Sequence, residues 1–165
     1  RTGELNNSSL VARPLGRFRW VTCASSDYLR EYGVPPSPEA LSQHRAVHYF
    51  SGQARRADEF RFVRHGETFS VPVSGNAAGN ETGLYIKMCL AGFGLAQLAE
   101  NIVADHLQEG RLVEVLTDWQ PPPVPVTLLY PHQRFLSPAV RAFAEWMSEV
   151  VGGEYCLHLA LRDGG

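Results

Sequence analysis

The side chains of this sequence that could act as nucleophiles are its serines and cysteines, and none stands in a known catalytic arrangement. Attack on a carbonyl needs a general base within hydrogen-bonding reach, and signatures such as GxSxG are absent. Cys23 in WVTCASS and Cys89 in KMCLAG lie in apolar stretches, which favours buried, unreactive thiols. Together with Cys156 they form no CxxC pair, so we expect free thiols in a reducing cytosol and no catalytic residues.

The sequence also contains no convincing metal-binding or cofactor-binding motif. The six histidines are scattered, and only His44 and His48 stand four residues apart, with a predicted helix end between them. GFGLAQ places its glycines between a helix and a strand, the reverse of the dinucleotide-binding order. RHGE at 64–67 matches the phosphohistidine motif of acid phosphatases, but that motif normally stands near the start of its fold and the fold's other parts are missing. We therefore predict no metal site and no cofactor.

One polar segment could bind a ligand without transforming it. Asn80, Glu81 and Thr82 follow the predicted strand FSVPVSG and begin a predicted helix. A helix N-terminus in this position presents free N–H groups and a positive dipole end to an anion. The alternative is an ordinary helix cap, with Asn80 as the N-cap residue. The residues alone leave both interpretations open.

Alternating strands and helices must position this segment, and the alternation predicts a mainly parallel sheet. Two apolar runs, 10–15 and 18–24, are separated by Gly16 and predict consecutive strands. Further strands are predicted over 46–50, 60–64, 69–75, 93–99, 111–116 and 126–131, with a turn at His65 and Gly66. Helices are predicted over 25–33, 37–44, 80–92, 100–110 and 137–153.

Caps and apolar stripes predict how three of these helices begin and pack. Ser26 or Asp27 would cap the first, and Ser137 with Pro138 would start the last. In the helix over 80–92, we expect Leu84, Met88 and Ala91 to share the buried stripe. In the last helix the buried face would comprise Val140, Phe143, Ala144, Met147 and Val151.

Length, charge and hydropathy limit the classes of protein to which this sequence can belong. The 165 residues are 44% hydrophobic, enough for one core or for two small lobes that share a hinge. Fifteen Lys and Arg against 17 Asp and Glu leave a net charge of -2, which attracts neither nucleic acid nor an anionic membrane. No apolar run approaches the roughly 18 residues of a membrane span, and no signal peptide is recognisable, so a cytoplasmic location is predicted. The first residue is Arg, which suggests a fragment.

Several segments taken in order resemble a known family. They are RTGELNNSSLVARPLG, WVTCASSDYLREYGVPPSPEALSQH, FSVPVSGNAAGNETGLYIKMCLAGFGLAQLAE, LQEGRLVEVL and LLYPHQRFLSPAVRAFAEWM. Together they resemble the effector-binding domain of LysR-type transcriptional regulators, over roughly residues 1–152. The sequence departs from the family pattern at Ser26, where proline is usual, at Glu81, where aspartate is usual, and at Ala99, where the strand commonly runs into proline.

The resemblance implies an α/β fold of the type II periplasmic-binding-protein-like class. Two Rossmann-like lobes would be joined by two crossover strands, near 10–17 and 120–126. Residues 1–14 and 123–152 would form part of the first lobe, residues 15–122 the second lobe, and residues 153–165 a C-terminal tail. The first lobe would be incomplete, because family members carry further residues ahead of the R-x-G-E-L segment.

The resemblance also implies an effector-binding site in the cleft. Its residues would be Arg1, Gly3, Ala24, Ser25, Asn80, Glu81, Thr82 and Gln97. Their role would be to hydrogen-bond a polar group of a small-molecule effector. The negative charge of Glu81 partly cancels the attraction of the helix dipole for an anion, so a neutral, polar or weakly acidic effector stays open.

The function implied by the resemblance is effector sensing by a DNA-binding regulator. Effector binding would bias lobe closure and change the geometry of a homodimer or tetramer. DNA would be bound only through a helix-turn-helix that is missing from this sequence, and no membrane partner is expected. A solute-binding protein of a transporter, with the same fold, is the alternative. An enzyme related to prephenate dehydratase or porphobilinogen deaminase is a third hypothesis, for which no catalytic constellation is found.

Overall fold

The computed structural model describes residues 10–50, 59–131 and 137–160. Within them the strands are β1 Leu10–Phe18, β2 Trp20–Ser25, β3 Val47–Tyr49, β4 Phe60–Arg64, β5 Glu67–Val71, β6 Ala77–Gly79, β7 Ala96–Ala99, β8 Leu112–Val115 and β9 Val124–Pro131. The helices are α1 Ser26–Tyr32, α2 Thr82–Leu90, α3 Glu100–Gln108 and α4 Pro138–Ala160, with a 3-10 helix over Pro38–Gln43.

A mixed sheet organises the larger part of the fold. β2 lies between β7 and β8 and is antiparallel to both, while β3 and β6 pair in parallel. A parallel bridge between Ala46 and Leu95 joins the two ladders, and Val47 N–H donates to the carbonyl of Leu95 at 2.8 Å. The strand order is therefore β6-β3-β7-β2-β8. The predicted parallel arrangement is right for four of these strands and wrong for β2, because alternation of elements carries no information about strand direction.

Side chains alternate between the two faces of this sheet, as strand geometry requires. On β2, Val21 and Cys23 enter one core and Ala24 enters the other. The first core contains α2 and α3 residues and comprises Val21, Cys23, Val47, Ala77, Tyr85, Cys89, Ala96, Leu98, Val103 and Leu112. The second lies under α1, the 3-10 helix and β4 and comprises Ala24, Tyr28, Leu29, Leu41, Ala46, Phe60, Phe62, Val73, Leu95, Val115 and Leu116.

β4 and β5 form a hairpin with the predicted bounds for β4 and the predicted turn. His65 and Gly66 connect the strands with φ of 51° and 80°. Two consecutive left-handed residues match the turn that best fits the twist of a hairpin, and Gly adopts this conformation without steric cost. The local sequence was sufficient to predict β4 and the turn, whereas the second strand runs over Glu67–Val71 instead of the predicted 69–75.

The starts of β2 and α1 differ from the prediction. β1 runs through Gly16, which lies beside a register shift after Pro14, and the break before β2 falls at Arg19. Gly16 therefore marks an irregularity within one strand, a role that glycine also takes. α1 is capped by Ser25 instead of the predicted Ser26 or Asp27.

The predicted buried stripe of α2 is wrong. The helix buries Tyr85 and Cys89, whereas the side chain of Leu84 is 48% exposed. Apolar residues occur on every side of this helix, so their spacing could not select the face that meets the sheet. β6, only three residues long, was also not predicted.

The described contacts divide the chain into two compact units. β1, β9 and α4 belong to one unit, and Trp20–Pro122 form the other. The first boundary falls after Arg19 rather than after residue 14, because β1 pairs with β9 up to Phe18 and Val124. Residues 153–160 continue α4 instead of forming a separate tail.

α4 packs with only part of its predicted face. Ala144 is buried, and Met147 contacts a small cluster of Leu15 and Val126. Val140 is 38% and Phe143 is 52% exposed, while the side chain of Val151 lies outside the described residues.

Candidate functional site

The predicted site residues lie at two opposite edges of the mixed sheet. β6, β3, β7 and β8 run in one direction, so their carboxyl ends share an edge, and Asn80, Glu81 and Thr82 follow β6 there. β2 runs the other way, and its final residue Ser25 pairs with Leu112, the first residue of β8. The carboxyl end of β2 is therefore at the amino ends of its neighbours. This follows from strand direction, which the sequence did not reveal.

Ser25 and Asn80–Thr82 lie near opposite ends of α2. The Cβ position of a side chain at Gly92, just beyond the end of α2, lies 3.6 Å from Ser25 Oγ. Asn80–Thr82 stand at the start of the same nine-residue helix, about 13 Å away along its axis. The structure does not bring Ala24 and Ser25 together with Asn80–Thr82.

Ala24 and Ser25 are part of the folded core. Ala24 is fully buried, and Ser25 is 3% exposed. The hydroxyl of Ser25 accepts a hydrogen bond from Tyr28 N–H at 3.2 Å and so caps α1. An N-cap hydroxyl satisfies one of the unpaired N–H groups of a first helical turn. The role seen for Ser25 is to start this helix.

Gln97 is likewise engaged within the fold. Its Oε1 accepts from Arg61 N–H at 3.0 Å, and its Nε2 donates to the carbonyl of Arg61 at 3.0 Å and to Thr22 Oγ1 at 3.2 Å. Both Nε2 protons have acceptors, since a primary amide carries two. The side chain pairs with the backbone of β4 as a neighbouring strand would. It thereby ties the hairpin to the sheet.

Glu81 caps α2 in place of Asn80. Its Oε1 accepts from Gly83 N–H at 2.8 Å and its Oε2 from Leu84 N–H at 2.6 Å. These two hydrogen bonds hold the pKa of the Glu81 carboxyl below its usual value. The predicted cap at Asn80 is wrong by one residue, because the helix begins at Thr82. A carboxylate of the chain itself therefore occupies the position in which an external anion would meet α2.

Two tyrosines support this edge, and neither was predicted as a site residue. Tyr49 at the end of β3 and Tyr85 in α2 contact each other edge to face, with ring centroids 5.4 Å apart. The Tyr49 hydroxyl donates to the carbonyl of Asn80 at 3.3 Å, and the Tyr85 hydroxyl accepts from Gln97 N–H at 3.1 Å. No local signal could have found this pair, since its members are far apart in sequence.

Asn80, Glu81 and Thr82 are all exposed, so their polar groups can meet a ligand. We call these three residues the carboxyl-edge site. Arg1 and Gly3, also predicted to contact an effector, lie outside the described residues.

The cysteines in the described part of the chain are unsuited to nucleophilic attack. Cys23 and Cys89 are fully buried, and Cys89 Sγ donates to the carbonyl of Cys23 at 3.7 Å. A hydrogen bond with Cys89 and then burial raise the pKa of the Cys23 thiol, which disfavours the reactive thiolate. Over residues 10–50, 59–131 and 137–160, no three His, Cys, Asp or Glu side chains are grouped to hold a metal ion. Among the helices described, none combines the length and hydropathy needed to cross a bilayer.

Comparison with known sequences identifies relatives over nearly the whole chain. The model of the LysR substrate binding domain matches residues 1–152. The uncharacterized HTH-type transcriptional regulator YhjC of Escherichia coli K12 is 34% identical over 151 residues, which are 92% of this chain and 50% of that protein. The HTH-type transcriptional activator AaeR of Escherichia coli K12 is 32% identical over 131 residues, 79% of this chain and 41% of that protein. The chain thus spans about half the length of such relatives.

Solved structures agree with this assignment. The full-length Vibrio cholerae virulence activator AphB superposes with a TM-score of 0.74 at 26% identity, covering 91% of this chain and 50% of that one. The regulatory domain of AphB in Vibrio vulnificus gives a TM-score of 0.71 at 25% identity, with coverage of 89% and 71%. The regulatory domain of CrgA from Neisseria meningitidis, at 24% identity and a TM-score of 0.74, covers 92% of this chain and 73% of its own and supports the fold.

These matches confirm the predicted fold class, an α/β fold of the type II periplasmic-binding-protein-like kind. The relatives described are transcriptional regulators, so the transporter alternative is not favoured. With a family model matching residues 1–152 and relatives above 30% identity, the chain belongs to the LysR substrate-binding domain family.

Proposed function

We propose that the chain senses a small-molecule effector for a LysR-type transcriptional regulator. The family match over residues 1–152 carries this proposal, and the names of the HTH-type relatives support it. DNA is bound by a helix-turn-helix in the full-length protein rather than by this near-neutral chain, whose net charge is -2. The full-length protein works in the cytoplasm as a homodimer or tetramer.

The carboxyl-edge site is the part of Trp20–Pro122 that contacts the effector. Asn80, Glu81 and Thr82 are exposed and follow a strand at the edge where α/β folds bind ligands. Ser25 and Gln97, which make hydrogen bonds inside the fold, hold α1 and the hairpin in place. Arg1 and Gly3 retain their predicted role as effector contacts.

The chemistry of this edge favours a neutral polar group on the effector. The N–H groups of Gly83 and Leu84 already bind the Glu81 carboxylate, so an anion would have to displace it. The outward lone pairs of that carboxylate accept from a hydroxyl or amide group, while the Asn80 amide both donates and accepts. The effector is bound and released unchanged.

Effector binding acts through differential affinity for two conformations of the regulator. A ligand shifts such an equilibrium only by the ratio of its affinities for the two states. Because DNA-binding domains are carried by the same oligomer, a shift in the sensing domain changes how they engage an operator.

The test uses the full-length protein and a panel of small aromatics, alcohols, amides and carboxylates. A true effector raises the melting temperature and changes operator affinity in a gel-shift titration. Asn80→Ala should weaken both responses at least tenfold and leave the ligand-free melting temperature near that of the wild type. Gln108→Ala, an exposed change at the far end of α3, is the matched control and should alter neither.

Two outcomes contradict the proposal separately. A ligand response that Asn80→Ala leaves unchanged removes the carboxyl-edge site but keeps the sensing function. Failure of the full-length protein to bind its own promoter region with any member of the panel present removes the regulatory function.

A further inference from the structure

A concave surface lies on the face of the mixed sheet that is turned away from α2 and α3. Its volume is about 610 Å³, and it is lined by Glu39, Val63, Arg64, His65, Asp118 and Trp119. We call it the Trp119 groove. Known small-molecule sites occupy about 300–1,000 Å³ and combine apolar walls with a few convergent polar groups.

Backbone hydrogen bonds hold the walls of the groove together. Val63 N–H donates to the carbonyl of Gln120 at 2.9 Å, which joins β4 to the segment that follows β8. Trp119 N–H donates to the carbonyl of Leu116 at 2.9 Å, and Leu116 adopts a left-handed φ of 56°. A non-glycine residue rarely takes this conformation, and here it closes the turn that carries Asp118 and Trp119. The shape of the groove is therefore set by the backbone.

The lining residues divide into an apolar wall and a charged rim. Val63 and Trp119 are half-buried, and Trp119 packs against the core that contains Phe60 and Phe62. The remaining four, Glu39, Arg64, His65 and Asp118, are exposed around this wall. An indole face beside charges suits a ligand with both an apolar body and polar ends.

The rim of the groove carries charges of both signs. Hydrogen bonds from Ser37 and from its own backbone lower the pKa of the Glu39 carboxyl, and the nearby charge of Arg64 lowers it further. The carboxylate of Asp118 has no ion-pair partner in the part of the chain that the structure describes. Two carboxylates and a guanidinium thus flank the same apolar wall.

From this arrangement we infer that the Trp119 groove binds a small zwitterion, an α-amino acid with an apolar side chain. The ligand's ammonium group pairs with Asp118 and Glu39, its carboxylate with Arg64, and its side chain lies against Trp119 and Val63. The site is separate from the carboxyl-edge site and does not depend on it. Amino-acid supply would then modulate the regulator in addition to its effector.

The experiment is calorimetric titration of the full-length protein with L-leucine and two analogues. 3-Methylbutylamine lacks the carboxylate, and 4-methylpentanoate lacks the ammonium group, so each should bind at least tenfold more weakly than leucine. Arg64→Gln should weaken leucine about tenfold and remove its advantage over the amine. Asp118→Asn should do the same with respect to the acid.

Two exposed charged residues outside the groove provide matched control variants. Arg141→Gln on α4 and Asp105→Asn on α3 remove the same charges elsewhere and should leave leucine affinity unchanged. Equal affinity for leucine and the amine, an unchanged affinity in Arg64→Gln, or no binding of leucine overturns the inference. Loss of leucine binding in Asn80→Ala alone would place the amino acid at the carboxyl-edge site, which overturns the Trp119 groove but supports the proposed function.

Discussion

Among the described residues, the polar side chains predicted to contact an effector fall into two regions that differ in exposure. At the carboxyl edge, Asn80, Glu81 and Thr82 are exposed and can accept a ligand. Inside the sheet and at its other edge, Gln97 and Ser25 are 8% and 3% exposed, and their side chains bond to Arg61, Thr22 and Tyr28. A buried polar group must be paired to be tolerated, so the same residue types that recognise ligands also hold a fold together.

This comparison predicts that substitutions in one region affect mainly stability and substitutions in the other affect mainly ligand binding. Substitutions inside the sheet should lower the free energy of unfolding, and substitutions at the carboxyl edge should lower ligand affinity with little loss of stability. The largest expected effect is at Gln97.

Gln97→Leu should lower the free energy of unfolding by about 2–3 kcal/mol, because Arg61 N–H and C=O lose a buried partner. Urea unfolding followed by circular dichroism measures the change. Gln108→Leu, at an exposed position, is the control and should cost far less. If Gln97→Leu keeps wild-type stability but loses the ligand response, Gln97 belongs with the carboxyl-edge site and the division fails.

Ser25→Ala should cost about 1 kcal/mol, the usual loss when an N-cap hydroxyl is removed. Ser25→Thr keeps the hydroxyl and should recover most of that loss. Ser42→Ala, which removes an exposed hydroxyl bonded to the carbonyl of Glu39, is the matched comparison and should have a smaller effect on unfolding. Equal losses of unfolding free energy for Ser25→Ala and Ser42→Ala would show that the N-cap of α1 stabilises the fold no more than an exposed hydroxyl does.

Glu81→Gln should have the smallest effect on stability, and that effect should depend on pH. Folding lowers the pKa of the Glu81 carboxyl, so its contribution is present above the unfolded value of about 4.5 and is lost as the pH falls through the folded pKa. Wild type and Glu81→Gln should therefore differ in melting temperature at pH 7, and the difference should shrink as the pH is lowered below 4.5. A constant difference across this range would mean that the carboxylate does not cap α2.

Much of the local structure could be predicted because short-range chemistry decides it. β4 follows from alternating apolar residues, and His65 with Gly66 follows from the conformations that a tight hairpin turn needs. Gly92 and Gly110 take positive φ just after α2 and α3, where their predicted helices end. The start of α2 was displaced by one residue, since Asn80 and Glu81 are both able to cap and it is the Glu81 carboxylate that accepts from the N–H groups of Gly83 and Leu84.

The candidate site was predicted less well, because its assembly depends on residues that are distant in sequence. Ser25 and Asn80 could be grouped only by assuming a common strand direction, and the antiparallel pairing of β2 places them at opposite edges. The engagement of Gln97 with Arg61 and the contact between Tyr49 and Tyr85 leave no local pattern.

The sequence by itself determined the family, the fold class, most strand and helix positions and the polar segment 80–82, since these depend on ordered motifs and on local periodicity. Tertiary structure alone decided which polar groups remain accessible. That choice depends on strand direction, on which helix face meets the sheet and on which donors find partners, and each is settled by packing between segments far apart in the chain.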